Sequence, residues 1–588
     1  MLFRGFVRLS AVAGVLLLGC SAVEAARLNA PSDITPIGIS SDAIEVTWST
    51  SEPNLVGFTV ERSKPGKKRG FKTIATLNDG SARSYEDRGL QSDTVYYYRL
   101  RSMQEKRSRS GRLRKPKKSR KSKPVTGTTL SEAEPAPEPT ATTGGPPPPP
   151  PPPPSGGNGS PWATGFGDDE TDIGVAVAVD SGQNVVVTGR FMERVDFGGG
   201  RINSRGSFDA FVARYAADGT HLWSKGFGGS EGDDGRGVAV DAAGNVFVTG
   251  FFRGSANLGG STLRSAGEMD AFLAKYAPDG THLWSRSFGG PDTDMGSAVG
   301  TDAAGNVIMV GNFFGNVSLG GATLAPNLYT PIDLFVAKYS PEGEHLWSKN
   351  YTSGGVAIAN DVAIEPDGSI AVCGKYSGSL DFGGNRMSSS NFTDDGFIAK
   401  LTPTGAHVWS RSFGSSNRDY ASGVAVDASG DVFVTGRFRH NVDFGGGPLP
   451  DAGLGNAFVA KYAAANGAHR WSRYGGSFNG ADAGAGIAVD ANGNPTVTGQ
   501  FKGVATFDGA TLTSAGAGDA FLVRYTANGA LRSAEALGGP GDDLGSGVVV
   551  SPSGLVIATG AFHDRGSFRS DTLTSAGRYD AYLVQLTQ

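Results

Sequence analysis

A tract of the form G-V-A-V-D-x-x-G-N-V-x-V-T-G returns seven times in the last three-quarters of this 588-residue chain. The acid closing its first half, or the residue replacing it, falls at Asp180, Asp241, Asp302, Glu365, Asp427, Asp490 and Ser551. The steps between them are 61, 61, 63, 62, 63 and 61 residues. A period this constant means one supersecondary unit repeated, each copy burying its apolar face against the next. The fold must therefore stack seven near-equal units.

In the second copy the strand candidates are residues 237–240, 245–249, 270–276 and 282–286, short Val/Phe/Thr-rich runs bounded by Gly and Asp. Asp241-Ala242-Ala243-Gly244 reads as the tight turn between the first two, with Gly where positive φ is needed. No long stretch carries the 3.6-residue apolar spacing of a helix. The 89 glycines follow no triplet period, which excludes collagen. The reading is all-β, with four antiparallel strands per unit, the pattern of a propeller blade. The region opens at Trp162-Ala163-Thr164-Gly165-Phe166-Gly167, which matches the fourth strand of a unit, as in Trp223-Ser224-Lys225-Gly226-Phe227-Gly228. It ends at Asp580-Ala581-Tyr582-Leu583-Val584, which matches the third. Joining these runs predicts a blade shared by the termini and a closed ring without exposed sheet edges.

The tracts G-N-V-x-V-T-G, D-A-F-x-A-K-Y and H-L-W-S-R-S-F-G-G resemble the SBBP-type β-propeller repeat of bacterial surface and secreted proteins, over residues 161–588. By analogy with WD-repeat propellers, the resemblance implies that the strand shared by the termini is outermost. The Gly/Ala/Val strand is then innermost, and the Phe and Tyr of the third strand fill the gaps between blades.

Residues 28–130 carry alternating Ile44, Val46 and Trp48, then Gly57 to Arg62, then Leu90 and Thr94-Val95-Tyr96-Tyr97-Tyr98-Arg99-Leu100. These runs resemble a fibronectin type III β-sandwich, and the resemblance implies that Tyr96 ties its hydroxyl back to the backbone. Between Met103 and residues 125–129 lies a loop and hairpin tip holding Lys106, Arg107, Arg109, Arg112, Arg114, Lys115, Lys117, Lys118, Arg120, Lys121 and Lys123, with no acid among them. It is a candidate grip on an anionic polymer, set against a solvated loop, and the absence of interleaved aromatics argues against single-stranded nucleic acid. Residues 131–160 read as a linker, stiffened by nine prolines from Pro146 to Pro154. At the N-terminus, Arg4 and Arg8 precede an apolar core too short to span a bilayer. Leu17-Leu18-Gly19-Cys20 resembles a bacterial lipobox, which implies lipidation at Cys20, removal of the preceding residues of the 1–20 signal peptide and an outer-membrane or cell-surface address; the alternative is cleavage after Ala25 and a secreted or periplasmic product.

Several repeated residues invite functional readings. Trp162, Trp223, Trp284, Trp347, Trp409 and Trp471 share one slot, which Ser533 takes in the seventh, and read as packing between blades. His221, His282, His345, His407 and His469 share another; one per blade is too far apart for a common metal shell, so they too read as packing. Cys373 stands in the strand slot held elsewhere by Thr188, Thr249, Thr435, Thr498 and Thr559, which marks it as a packed residue. The sharper set is Asp172, Asp233, Asp294, Asp419, Asp482 and Asp543, eight residues before each closing acid and broken by Ala357. In loops near the mouth of an axial channel these carboxylates would focus negative potential and hold Ca²⁺ or a cationic ligand. The plainer alternative is that each caps its own turn.

No H-E-x-x-H or Walker loop is present. The expectation is a non-enzymatic, exported surface protein that binds or displays envelope protein or glycan, with no cofactor beyond the possible calcium. The alternatives are an envelope polysaccharide hydrolase or lyase with its site on a propeller face, and a structural subunit of an envelope assembly.

Overall fold

The computed structural model describes residues 162–586, apart from 327–331, 451–452, 479 and 570, and before them a set of strands with a few flanking residues between 32 and 128. The chain divides into two compact units, Met1–Pro150 and Pro151–Gln588. Cys20, the cleavage alternative and the 131–160 linker lie outside the described residues.

In the first unit, strands Ser32–Gly38, Ile44–Ser49 and Ser84–Asp87 form one sheet. Leu55–Arg62, Lys72–Leu77, Val95–Arg107, Leu113–Lys118 and Val125–Thr128 form another. Val46, Phe58, Val60, Leu90, Tyr96, Tyr98 and Leu100 make a buried cluster. The amide of Gln91 donates to the Tyr96 hydroxyl at 3.1 Å. The basic segment departs from the loop expected of it. Val95–Arg107 runs past Met103 and pairs with Leu113–Lys118, Lys106 opposite Arg114 and Gln104 opposite Lys117. Thus Lys106, Arg107, Arg114, Lys115, Lys117 and Lys118 are strand residues, because ladder hydrogen bonds use the backbone N–H and C=O that every one of these residues carries. Arg109, Arg112, Arg120, Lys121 and Lys123 lie outside the described residues.

The second unit is built on seven large sheets, each with four antiparallel strands in meander order, and smaller two- or three-stranded sheets stand beside them. The second is representative: Asp234–Val240, Val246–Ala256, Leu263–Tyr276 and His282–Phe288. Between the second and third strands the chain adds a short hairpin that the four-strand reading omitted, as in Arg194–Asp196 with Arg201–Asn203. In the second sheet this is the paired extension Ser255 to Arg264 and Ala256 to Leu263. The seventh sheet takes its first three strands from Leu544–Val550, Val556–Phe562 and Asp580–Leu586, and its fourth from Trp162–Phe166. Ala581 pairs with Phe166 and Gln585 with Trp162. The first strand of every sheet lies beside the first strand of the next, and that of the seventh beside that of the first.

The core sits between sheets. Seven apolar clusters each combine residues of two consecutive sheets, one of them joining Leu583 and Ile557 of the last sheet to Val185 and Phe211 of the first. Buried Phe and Tyr of the third strands, such as Phe272 and Tyr276, fill these interfaces. No helix among the described residues is long and apolar enough to cross a membrane.

Candidate functional site

Two sets of polar residues occupy the sheet junctions. In the first, the closing acids meet cations from the third strands: Asp180 with Arg214, Asp302 with Lys338 at 2.8 Å, Glu365 with Lys400 at 2.8 Å and Asp427 with Lys461 at 3.0 Å. Several cations also reach the next sheet, Arg214 Nη1 to the Pro278 carbonyl and Lys275 Nζ to that of Pro341, both at 3.0 Å. Ser551 in the seventh sheet faces no such cation slot, because Gln585 stands where the others carry Lys or Arg.

The tryptophans join the same seam. Trp162, Trp223, Trp284, Trp409 and Trp471 donate Nε1 to a turn carbonyl of the following sheet at 2.9–3.1 Å. The turn lies between third and fourth strands. No hairpin turn joins those two strands in the seventh sheet, since they come from opposite ends of the repeat region. Ser533, which would face it, has no turn to cover. His221, His282, His345 and His469 pack edge-on against third-strand tyrosines at 5.7–6.0 Å between ring centres, whereas His407 pairs with Leu401. His221, His345 and His407 share a hydrogen bond with Ser224, Ser348 and Ser410.

The second set is the six aspartates. Their expected place at the channel mouth does not hold: all six are buried, and none lines the channel. Five take a backbone N–H on each carboxylate oxygen. Asp233 accepts from Gly229 at 2.7 Å and Arg253 at 3.1 Å, and Asp172, Asp419, Asp482 and Asp543 repeat the arrangement. Asp294 accepts from Gly290 at 2.7 Å. The loop entering each first strand has otherwise unpaired donors, and a buried donor left unmade costs more than a typical hydrogen bond gains. Turning inward to serve them takes the carboxylates away from the channel. Among the described residues, no group of three or more His, Cys, Asp or Glu side chains gathers as a metal site would require.

A second aspartate joins most of them, from the start of the preceding sheet's third strand. Burial pushes Asp172 up to about 8 and Asp233 and Asp294 up to about 7, with Asp580, Asp209 and Asp270 adding repulsion to each in turn. Asp395, also buried, is pushed up to about 7, with Asp419 contributing. These are carboxyls that favour holding a proton near neutral pH.

The channel itself is made by a feature no sequence pattern announced. Each first strand carries a β-bulge just after its start, between Gly235 and Gly237 in the second sheet and at the equivalent step in the other six. A bulge re-aims the extra residue. The seven extra residues, Val175, Arg236, Ser297, Asn360, Ser422, Ala485 and Ser546, all line one cavity of about 530 Å³ between the first strands. Arg190, Asp234 and Asp361 also line it. Asp361 accepts from the Val362 and Val424 amides at 2.8 Å, and burial pushes it up to about 7. The available signal was departure from the repeat: Asp234 and Arg236 stand where sister copies hold mainly apolar or small residues.

Residues 222–250 match the SBBP family, described as a β-propeller repeat. The chain is 24% identical over 38% of its length to an uncharacterised WD repeat-containing protein of Acanthamoeba polyphaga mimivirus, covering 19% of that protein. It is 26% identical over 56% of its length to the regulatory protein FlaEY of Caulobacter vibrioides, covering 36% of it. It thus spans well under half the length of either curated relative. Among solved structures, an apocarotenoid oxygenase of Synechocystis covers 73% of this chain and is 93% covered, at 10% identity and a TM-score of 0.35. The fn3 domain of human contactin 1 covers 22% of the chain and is 97% covered, at 16% identity and a TM-score of 0.15. The second unit is accordingly an all-β assembly containing a β-propeller repeat.

Proposed function

We propose that this chain is a rigid, non-enzymatic interaction scaffold: a closed seven-bladed β-propeller whose last blade is shared by its two ends. A fibronectin type III-like module and a stiff linker precede it, on an exported chain held to the outer membrane or cell surface through lipid at Cys20. Support for closure comes from the pairing of Trp162–Phe166 with Asp580–Leu586 and from the apolar cluster joining last sheet to first. Likeness to an SBBP repeat and to a WD repeat-containing protein supports an interaction role.

The observation that carries the scaffold reading is the contrast between what is spent on the junctions and what is left outside. The repeated Trp side chains bond across to the next sheet, the Asp cap their loops and the His pack within their sheets, while Phe392 and Phe478 stand 83% and 81% exposed between strands of the fourth and fifth units. Large exposed aromatics on a rigid frame are the residues interfaces use. The test is to probe the full chain against envelope protein fractions and a glycan array, beside a Phe392→Ser/Phe478→Ser variant. Retention of one partner class by the natural chain and its loss in the variant is expected; turnover of a bound polysaccharide would transfer the chain to the hydrolase or lyase alternative. Release of a Cys20→Ser variant from the membrane fraction is expected, and unchanged retention removes the anchor.

A further inference from the structure

We infer that the channel between the first strands is an oxyanion site, built by Arg190 and Arg236 around Asp234 and taking the carboxylate or phosphate group of a small polar ligand. Arg190 Nη1 donates to Asp234 Oδ2 at 3.1 Å, and Arg236 Nε lies 3.5 Å from the same oxygen. Asp234 is buried, whereas both arginine side chains keep more than a third of their surface open. Each guanidinium is also braced by a ring, Arg190 over Phe208 at 5.6 Å and Arg236 over Phe251 at 5.0 Å. Two cations thus share one anion, and the cluster carries a net positive charge.

The remaining donors are free to act outward. Among the described residues, the far nitrogens of both guanidiniums have no protein partner. The hydroxyls of Ser297, Ser422 and Ser546, the extra residues of three other bulges, line the same cavity and bond to no described residue. A planar fork of N–H groups matches the two oxygens of a carboxylate or phosphate, and stacking fixes its orientation before binding. A volume of about 530 Å³ suits a small molecule. The cluster occurs at one junction of the seven. Gln500 holds the place of Arg190 in the sixth sheet, and serine holds that of Arg236 in three sheets. The site is therefore not needed to build the repeat. It stands on the channel alone and is independent of the surface-docking reading.

The test is calorimetric titration of the full chain, at fixed ionic strength, with inorganic phosphate, glucuronate and, as a neutral control, glucose. Saturable binding of at least one anion and none of glucose is expected; which anion binds tells phosphate from carboxylate. Arg236→Ser and Arg190→Gln, each borrowing a residue that sister sheets carry at that place, should weaken binding at least tenfold with little change in melting temperature. Absence of saturable anion binding by the natural chain, or full affinity retained in both variants, overturns the site.

Discussion

The junction between the first and second sheets and the junction between the third and fourth solve one packing problem in two ways. At the former, Thr188 donates its hydroxyl to the Phe211 carbonyl at 2.6 Å, and its oxygen lies 2.4 Å from where a Cβ on Gly235 would be. Four other threonines repeat this bond, and the residue facing each in the next sheet is again glycine: Gly296, Gly484, Gly545 and Gly174. At the latter, Val310 replaces the threonine and the next sheet carries Ala359. Leaving the fourth sheet, Cys373 replaces it and the next sheet carries Ala421. Without a hydroxyl fixed on a carbonyl the side chain can turn aside, and the space accepts a methyl group. The loops differ in parallel. Asp233 serves the Gly229 and Arg253 amides, whereas Ala357 serves none. In its place Ser353 bonds to Asp333 and to the Gly355 carbonyl, the Ser377 hydroxyl takes the Val356 amide, and Thr352–Ser353 pairs with Ser379–Asp381. A fault in the repeat is thus tolerated where its neighbours across the junction change with it.

The comparison breaks most severely at the carboxylates. Asp233→Ala strands two buried amides, each worth about 1–3 kcal/mol, so chemical denaturation should show a loss of several kcal/mol although Ala357 is native at the matching place. The reverse change, Ala357→Asp, buries a carboxylate whose donors are already engaged, and a loss of about 1–3 kcal/mol is expected. Gly235→Ala should cost about 1–3 kcal/mol by overpacking, and Thr188→Val in the same chain should recover part of it. A double-mutant cycle reads the coupling, and simple additivity would dissolve the threonine–glycine rule. Cys373→Thr tests the same rule from the other side: a smaller loss is expected alone, with recovery when Ala421→Gly accompanies it.

The gentlest test is pH. Asp172, Asp233 and Asp294 have folded values pushed above the ordinary carboxyl near 3.8. The folded chain then binds protons more tightly than the unfolded one. Their stabilising contribution is complete below the unfolded value and fades as pH rises through about 7 to 8. Melting should fall by a few degrees between pH 5.5 and pH 8, and Asp209→Asn, which removes the repelling neighbour of Asp233, should flatten that slope. Histidine acts in the opposite sense: burial lowers His221, His282, His345 and His469, so their contribution is lost on acidification. A melting temperature that rises steadily from pH 5.5 to pH 8 would mean the carboxylates are not the controlling groups.

Much of this was legible in the residues. The period, the strand pattern and the match of Trp162–Phe166 to a fourth strand follow from local chemistry, and the pairing agrees with them. The packing role of the tryptophans was readable because one indole per copy at a fixed slot suits a seam. Ser533 was visible as an exception, but its reason lies in a turn missing from another sheet. The aspartates were found and their setting was misplaced: a D-x-G step before a strand fixes the backbone, not whether the carboxylate turns outward or in. Arg190 and Asp234 are 44 residues apart, and no short-range pattern links them.

By itself the sequence determined the unit, its strand order and the number of copies, because alternation, turn residues and period act along the chain. The tertiary structure alone decided what the departures from the repeat mean. Each sheet's side chains finish their contacts on the next sheet, so Val310 is explained by Ala359, Ser533 by a missing turn, and Arg236 by a bulge that aims it into the channel. Contacts between copies depend on register and on which way a carboxylate or a bulged residue points, and those are settled only when the sheets pack.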